Sequence, residues 1–227
     1  MKTFKVMKVF YLCKFIYRDY IVMETREKIL KGAGNLFIKE GIRVITMDSI
    51  AQSLGISKRT IYENFKDKED LIHNFLTKDV SAHKNELIKI VNSSDNVIES
   101  LFQFGKYNRD AIAKVNPVFF EDLKKYYSEM FESIKRNEKI GNGEISYLIL
   151  KRGVNEGTFV KSIDIDIVNT FIHITMNHFF KTDNQDCISH SKVWDSIFFP
   201  YLKGICTEKG LEHLDAFSNK NKNFVDV

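Results

Sequence analysis

Proline occurs only twice in the 227 residues, at 117 and 200, and glycine only eleven times. That leaves too little turn chemistry for a protein built of hairpins, so an all-β fold is excluded and an all-α fold is expected. Cysteine is equally scarce. Cys13, Cys187 and Cys206 are odd in number and far apart, with no CxxC or Cys/His cluster, which excludes a disulfide framework and a zinc site; buried thiols in a reducing cytoplasm are expected. Long apolar runs are missing too. Even in the greasy opening "MKTFKVMKVFYLCKFIYRDYIV" the longest uncharged stretch is Val9 to Cys13, too short for a secretory signal or a membrane span. Catalytic signatures are also absent: there is no HExxH, no ExxH pair and no GxxxxGK[ST]. Asp70 and His73, His173 and His178, and Asp164 and Asp166 are isolated pairs. No metal, cofactor or enzymatic activity is expected from them.

What the chain has is charge and apolar side chains at helical spacing. Charged residues make up 28% and apolar residues 44%, the composition of a protein with ample core. The formal charge of +4 looks like a hint of nucleic acid, but Lys2, Lys5, Lys8, Lys14 and Arg18 face Asp19 alone in residues 1–22 and account for all of it. The rest is balanced, so only local charge distribution is informative. Because "METREKIL" at Met23 reads as a natural start, residues 1–22 are expected to be a mis-assigned upstream start or a loose extension.

From Thr25, a plausible N-cap, Ile29, Ala33, Leu36 and Phe37 form one stripe that ends at Gly41. Thr46 can cap a short helix, "MDSIAQSL", with Gly55 as its left-handed stop. Ser57 can cap a third helix, Lys58 to Asn64, and Asp67 a longer fourth. Short helices around a tight glycine turn make a helix-turn-helix unit. Beyond Asn92 come further helices: one over 97–115, and an aromatic one opened by Pro117. A break is expected at "GNG", 141–143, then a helix closed by Gly157, two long apolar helices and a frayed polar tail. The expected division is an extension (1–22), a helix-turn-helix domain (23–83), a second helical domain (84–215) and a tail (216–227).

The stretch "SLGISKRTIYENF" is the most informative. Ile61 and Phe65, one turn apart, point together to a core. At about 100° per residue, Arg59 and Glu63 then fall on the opposite side, with Thr60 and Tyr62 on the flanks. Lys58 lies in the first turn, and Lys66 and Lys68 open the next helix. A narrow helix braced from behind, with Arg, Lys, Thr and Tyr forward, suits a DNA major groove. Arg59 can read guanine, and Glu63 can accept from cytosine N4.

The same residues carry a family resemblance. Leu36-Phe37 with Gly41, Thr46, "IA..LG.S" at 50–57 and "T.Y..F..KE.L" at 60–71 resemble, with matching spacing, the DNA-binding domain of the TetR family of transcriptional regulators. The pattern "G...G.F" at 153–159, followed by Asp and a long apolar helix, is similar to its regulatory domain. The resemblance implies a homodimer whose two recognition helices enter successive major grooves of a near-palindromic double-stranded operator. It also implies a small-molecule effector. It places Thr46 and Ser57 near phosphates, Tyr62 and Lys68 on the DNA backbone, and Thr60 near bases or phosphates. Arg59 and Asn64 depart from the family's usual residues. The DNA-binding set is therefore Thr46, Ser57, Lys58, Arg59, Thr60, Tyr62, Glu63, Asn64, Lys66 and Lys68.

By the same resemblance the last two long helices form a dimer interface, to which Phe171, Thr175, Phe179, Trp194, Phe198 and Tyr201 are assigned; aromatic anchors of this kind suit interfaces. Pro200 should kink its helix or interrupt its hydrogen bonding. The remaining aromatics, notably Phe102, Tyr107, Phe120, Tyr127, Phe131 and Tyr147, suit a pocket for a small apolar or aromatic ligand. Two alternatives stand beside a ligand-released repressor: a helical adaptor that binds proteins without touching DNA, and a helical enzyme.

Overall fold

The computed structural model describes residues 23–179 and 190–220. The extension at 1–22, Cys13, Cys187 and residues 221–227 lie outside the described residues, as does the side chain of Phe179. Among the described residues all regular structure is helical apart from one isolated bridge between Phe159 and Cys206. The helices are α1 (residues 23–40), α2 (Met47–Leu54), α3 (Lys58–Tyr62), α4 (Lys68–Ser93), α5 (Val97–Ala113), α6 (Pro117–Tyr126), α7 (Ser128–Asn155), α8 (Ile165–Phe179), α9 (His190–Val193), α10 (Phe199–Ile205) and α11 (Glu208–Lys220). The chain divides into two compact units: one runs to residue 80 and includes 112–134, and the other comprises 81–111 and 135 onward. None of the described helices is long and apolar enough to cross a membrane.

The first unit is built on the stripe seen in the sequence. Ile29, Ala33 and Phe37 of α1 meet Ile50 of α2, Ile61 of α3, Phe65, and Leu71 and Ile72 of α4, all essentially inaccessible to solvent. Phe75 extends this core, packing edge-on against Phe37 and Phe119. Thr25 does not cap α1, which is already helical at residue 23. Gly41, Gly55 and Gly157 all take positive φ, as their positions at helix ends predicted.

Residues around α6 belong to this unit because they satisfy polar groups that α1 leaves open. Helix ends expose unpaired carbonyls; here Asn116 donates its backbone N–H to Ile38 O and its side-chain amide to Lys39 O, each at 2.9 Å. Its Oδ1 accepts from Val118 N–H at 3.0 Å, with Pro117 at the first helical position. One turn on, the buried Asp122 carboxylate accepts the Arg43 backbone N–H at 2.7 Å.

The second unit buries Leu87, Val91, Val97, Ile98, Phe102, Ile145, Ile149, Phe159, Val168 and Leu202. Its polar keystone is Arg152, which donates to the carbonyls of Val91 and Ser94 and to Ser100 Oγ and pairs with Glu156. The second oxygen of Glu156 accepts from Val97 N–H. One ion pair thus satisfies carbonyls at the end of α4 and an amide at the start of α5.

Three local expectations are corrected. The helix does not break at 141–143; α7 runs through both glycines from Ser128 to Asn155. Glycine costs a helix only about 1 kcal/mol, and burial of Ile145, Ile149 and Leu150 just beyond outweighs it. The break lies at Tyr127 instead, with φ −136° and ψ 46°. The tail is not frayed from residue 216: α11 reaches Lys220, because Phe217 stacks on Phe102 with ring centroids 4.2 Å apart. Pro200 does perturb its helix as expected. Lacking an N–H, it leaves Ser196 without the usual donor, and Trp194–Phe198 form a π-helical turn in which the Phe199 N–H reaches Trp194 O.

Gly153 admits the ring of Phe159, which lies where a methyl group would stand, 2.1 Å from Cδ2. Gly153→Ala is therefore expected to destabilise the protein by about 1–3 kcal/mol through overpacking, despite alanine's better helix propensity, as read by denaturant melts. Burial pushes the Cys206 thiol up to about 11, so little thiolate exists near neutral pH. In a Cys13→Ser, Cys187→Ser background, Cys206 should react with a thiol reagent at pH 8 only as fast as the protein unfolds.

Candidate nucleic-acid interface

Each end of α2 and α3 is fixed by a residue whose local chemistry requires it there. Thr46 Oγ1 accepts from Ser49 N–H at 3.0 Å while Ser49 Oγ accepts from Thr46 N–H at 2.8 Å, a reciprocal capping box. Gly55, with φ 63° and ψ 36°, closes α2 and donates to the carbonyls of Ala51 and Gln52. Most side chains avoid that left-handed conformation. Two residues later Ser57 Oγ accepts from Thr60 N–H at 3.0 Å and also pairs with Thr60 Oγ1 at 2.8 Å. The connection is therefore tight, and α3 starts in one orientation.

Behind α3 the support is apolar and complete. Ile61 is 0% exposed and Phe65 1%. The Arg26 guanidinium lies over the outer face of the Phe65 ring, 4.7 Å from its centroid, and is itself held by Asn74 Oδ1 at 2.7 Å. In front, Lys58, Arg59, Tyr62 and Glu63 are exposed, Thr60 is half-buried on the flank, and Lys66 follows at the surface. The buried back of Ile61 and Phe65 and the exposure of Arg59 and Glu63 opposite them agree with the sequence expectation.

The front is more internally paired than the sequence suggested. Lys58 Nζ meets Asp48 Oδ2 at 2.8 Å, tying α3 to the first turn of α2; this bond holds the ammonium above its ordinary range. Arg59 Nε meets Glu63 Oε1 at 3.0 Å across one helical turn.

Two expected DNA contacts have other employment. The Lys68 ammonium donates to the carbonyls of Ile42 at 2.7 Å and Arg43 at 3.4 Å, and burial lowers its pKa. Lys68 is thus a strut between the start of α4 and the loop before α2. Asn64 turns back as well: its side-chain amide donates to Thr60 O at 2.8 Å, and its Oδ1 is buried. A five-residue helix leaves its last carbonyls open, and Asn64 supplies a donor.

Arg43 was not singled out from the sequence. Exposed beside Thr46, it bonds the Tyr126 hydroxyl at 2.7 Å and lies over the Tyr126 ring. The partner is 83 residues away, so no local pattern could have marked it.

The residues assigned to other roles are spread between the units. Of the six ligand-pocket aromatics, Phe120, Tyr127 and Phe131 belong to the first unit and Phe102, Tyr107 and Tyr147 to the second; neither unit brings all six together. Phe102 is core, between Phe217 and Trp194, and the Tyr107 ring lies against His83. Of the interface set, Phe198 is buried and Trp194 packs edge-on to Phe102, so both serve the interior of their own unit. Their period along the helix turns them inward. Phe171 is 41% exposed and contacts the Tyr201 ring at 5.1 Å, and Thr175 bonds Phe171 O on the same helix. Sequence reasoning missed Ile167 and Ile174 of α8, 68% and 64% exposed, with Phe171 and Ile174 following Ile167 at offsets of four and seven. That spacing is a helical stripe and could have been read from the sequence.

Comparison with known proteins agrees with this geometry. Residues 29–74 match the family model described as bacterial regulatory proteins, tetR family. The HTH-type transcriptional repressor KstR2 of Mycolicibacterium smegmatis is 26% identical over 154 residues, covering 66% of this chain and 75% of that protein. An HTH-type transcriptional regulator of Staphylococcus aureus strain USA300 is 28% identical over 127 residues, covering 48% of this chain and 69% of its own. Among solved structures, a TetR-family transcriptional regulator from Agrobacterium tumefaciens superposes with a TM-score of 0.57 at 17% identity, over 82% of this chain and all of that one, a likeness of fold. These relatives are regulators and not enzymes, and neither the adaptor nor the enzyme alternative is favoured. With the capped α2–turn–α3 unit and its polar front, these findings support a DNA-binding transcriptional regulator of the TetR family.

Proposed function

We propose that the chain acts in the cytoplasm as a homodimeric repressor. Each copy lays α3 in the major groove of one half of a near-palindromic operator, and a small apolar or aromatic ligand releases it. The observation that carries this is the division of α3: Ile61 and Phe65 wholly buried behind, Arg59, Tyr62 and Glu63 exposed in front. Thr46 and Ser57 sit at exposed helix starts, where hydroxyls and amides suit phosphate, and Lys58 and Lys66 add positive charge beside them. Occupancy of a promoter suffices for repression, and no further surface is needed for it.

The homodimer is supported by Ile167, Phe171 and Ile174, an apolar stripe on α8 left open to solvent in the single chain. Burying such a face is worth about 25 cal/mol per Å² of apolar surface removed from water, and a second copy offers the matching face under two-fold symmetry. Two recognition helices then meet successive grooves about 34 Å apart. For the effector, the half-buried aromatics of the second unit, Phe104, Tyr107 and Tyr147, supply flat apolar surface of the kind ligand sites use. A ligand that binds better to a form with the wrong groove spacing shifts the population off DNA.

The test is selection of bound DNA from a random duplex pool by the purified protein. Enrichment of an inverted repeat supports the proposal; no enrichment at low salt ends it and leaves the adaptor. On the selected operator, Arg59→Ala and Tyr62→Ala should each weaken binding by about 10- to 100-fold without lowering the melting temperature, read by fluorescence anisotropy. Phe171→Asp and Ile174→Asp should each yield a helical monomer by sedimentation, with operator binding lost.

A further inference from the structure

Glu63 is an anomaly on the face of α3. It is the C-terminal flanking residue of the helix, where the helix dipole disfavours negative charge. It is also exposed on the side proposed to meet DNA, where phosphates repel it. The helix dipole and phosphate both disfavour an acid at this position, and an exposed i,i+4 ion pair offsets that by only about 0.2–0.5 kcal/mol. Its contact is with Arg59: Glu63 Oε1 accepts from Nε of Arg59 at 3.0 Å, and the Glu63 backbone N–H donates to Arg59 O at 2.9 Å.

The choice of nitrogen matters. Guanidinium is planar with five N–H donors, and Glu63 engages only the inner Nε. That bond leaves outside it the two terminal nitrogens, which form a planar fork of donors. Such a fork matches the paired acceptors O6 and N7 of guanine in the major groove. Without the carboxylate, a side chain that is 88% exposed rotates among many rotamers, and the fork reaches a phosphate as readily as a base.

We infer that Glu63 is a positioning residue for specificity: its carboxylate holds Arg59 so that the terminal guanidinium nitrogens read one guanine in each half-site, and its charge discourages binding elsewhere. This rests on the reading of α3 as the recognition helix. It replaces the sequence expectation that Glu63 itself accepts from cytosine.

Duplex selection from a random pool, run in parallel on the wild type, Glu63→Ala, Glu63→Gln and Arg59→Ala, tests this. The wild type should enrich one guanine per half-site that Arg59→Ala does not. Glu63→Ala should lose preference at that same position by about tenfold, one good bidentate contact being worth about 1–3 kcal/mol. Meanwhile its affinity for unselected duplex should rise severalfold, and its circular dichroism and melting temperature should stay unchanged. Glu63→Gln, which keeps an acceptor but not the charge, should retain part of the guanine preference with raised non-specific affinity. A variant carrying both Arg59→Ala and Glu63→Ala, selected in the same way, should be no less selective at that position than Arg59→Ala alone. The inference is overturned if Glu63→Ala leaves the guanine preference intact, or if it relaxes a different position, which would make Glu63 a base reader. If the wild type enriches no sequence, the recognition-helix reading falls first and takes this inference with it.

Discussion

The polar front of α3 depends on two side chains that never reach it. Ile61 of α3 and Phe65 just beyond it are buried four residues apart, and α3 itself is only five residues long. A helix that short has no stability of its own in water, since nucleation is unfavourable and few backbone bonds follow. It exists because its apolar side is buried and its ends are capped, by Ser57 at the start and by Asn64 folding back at the finish. Every polar group on the front inherits its direction from that anchoring.

The same constraint explains why so many polar groups near the interface are committed to each other. Lys68 holds the carbonyls of Ile42 and Arg43, Asp122 holds the Arg43 amide, and Asn116 closes the end of α1. Each bond satisfies a backbone group at a helix end or in the loop between helices. An unpaired buried polar group costs about 1–3 kcal/mol, so these pairs are selected for satisfaction as much as for attraction. With Lys68 and Asn64 bonded inward, the exposed polar side chains of the front are Lys58, Arg59, Tyr62 and Glu63, with Lys66 just beyond.

In the second unit the organising device is again one polar residue in an apolar setting. Arg152 gathers carbonyls from the end of α4 and a hydroxyl from α5, and Glu156 completes its charge balance. Around it the aromatics are spent mainly on the unit's own interior, as the Phe102–Phe217 stack shows. The apolar stripe on α8 is different, because Ile167, Phe171 and Ile174 remain outside. That contrast separates core from candidate interface more sharply than residue type does.

The sequence alone determined α1 to α4 apart from their exact ends, the caps at Thr46, Gly55 and Ser57, and which side of α3 faces inward. These follow from interactions within four residues, through apolar spacing, side-chain capping and the rarity of left-handed backbone. Tertiary structure decided what depends on partners distant along the chain. It carried α7 through Gly141 and Gly143, extended α11 by stacking Phe217 on Phe102, and turned Trp194 and Phe198 inward. It set Arg43 against Tyr126 and made Lys68 a strut. Local pattern cannot foresee these outcomes, because burial and hydrogen-bond satisfaction across 26 or 83 residues override local propensity and are invisible until the chain has folded.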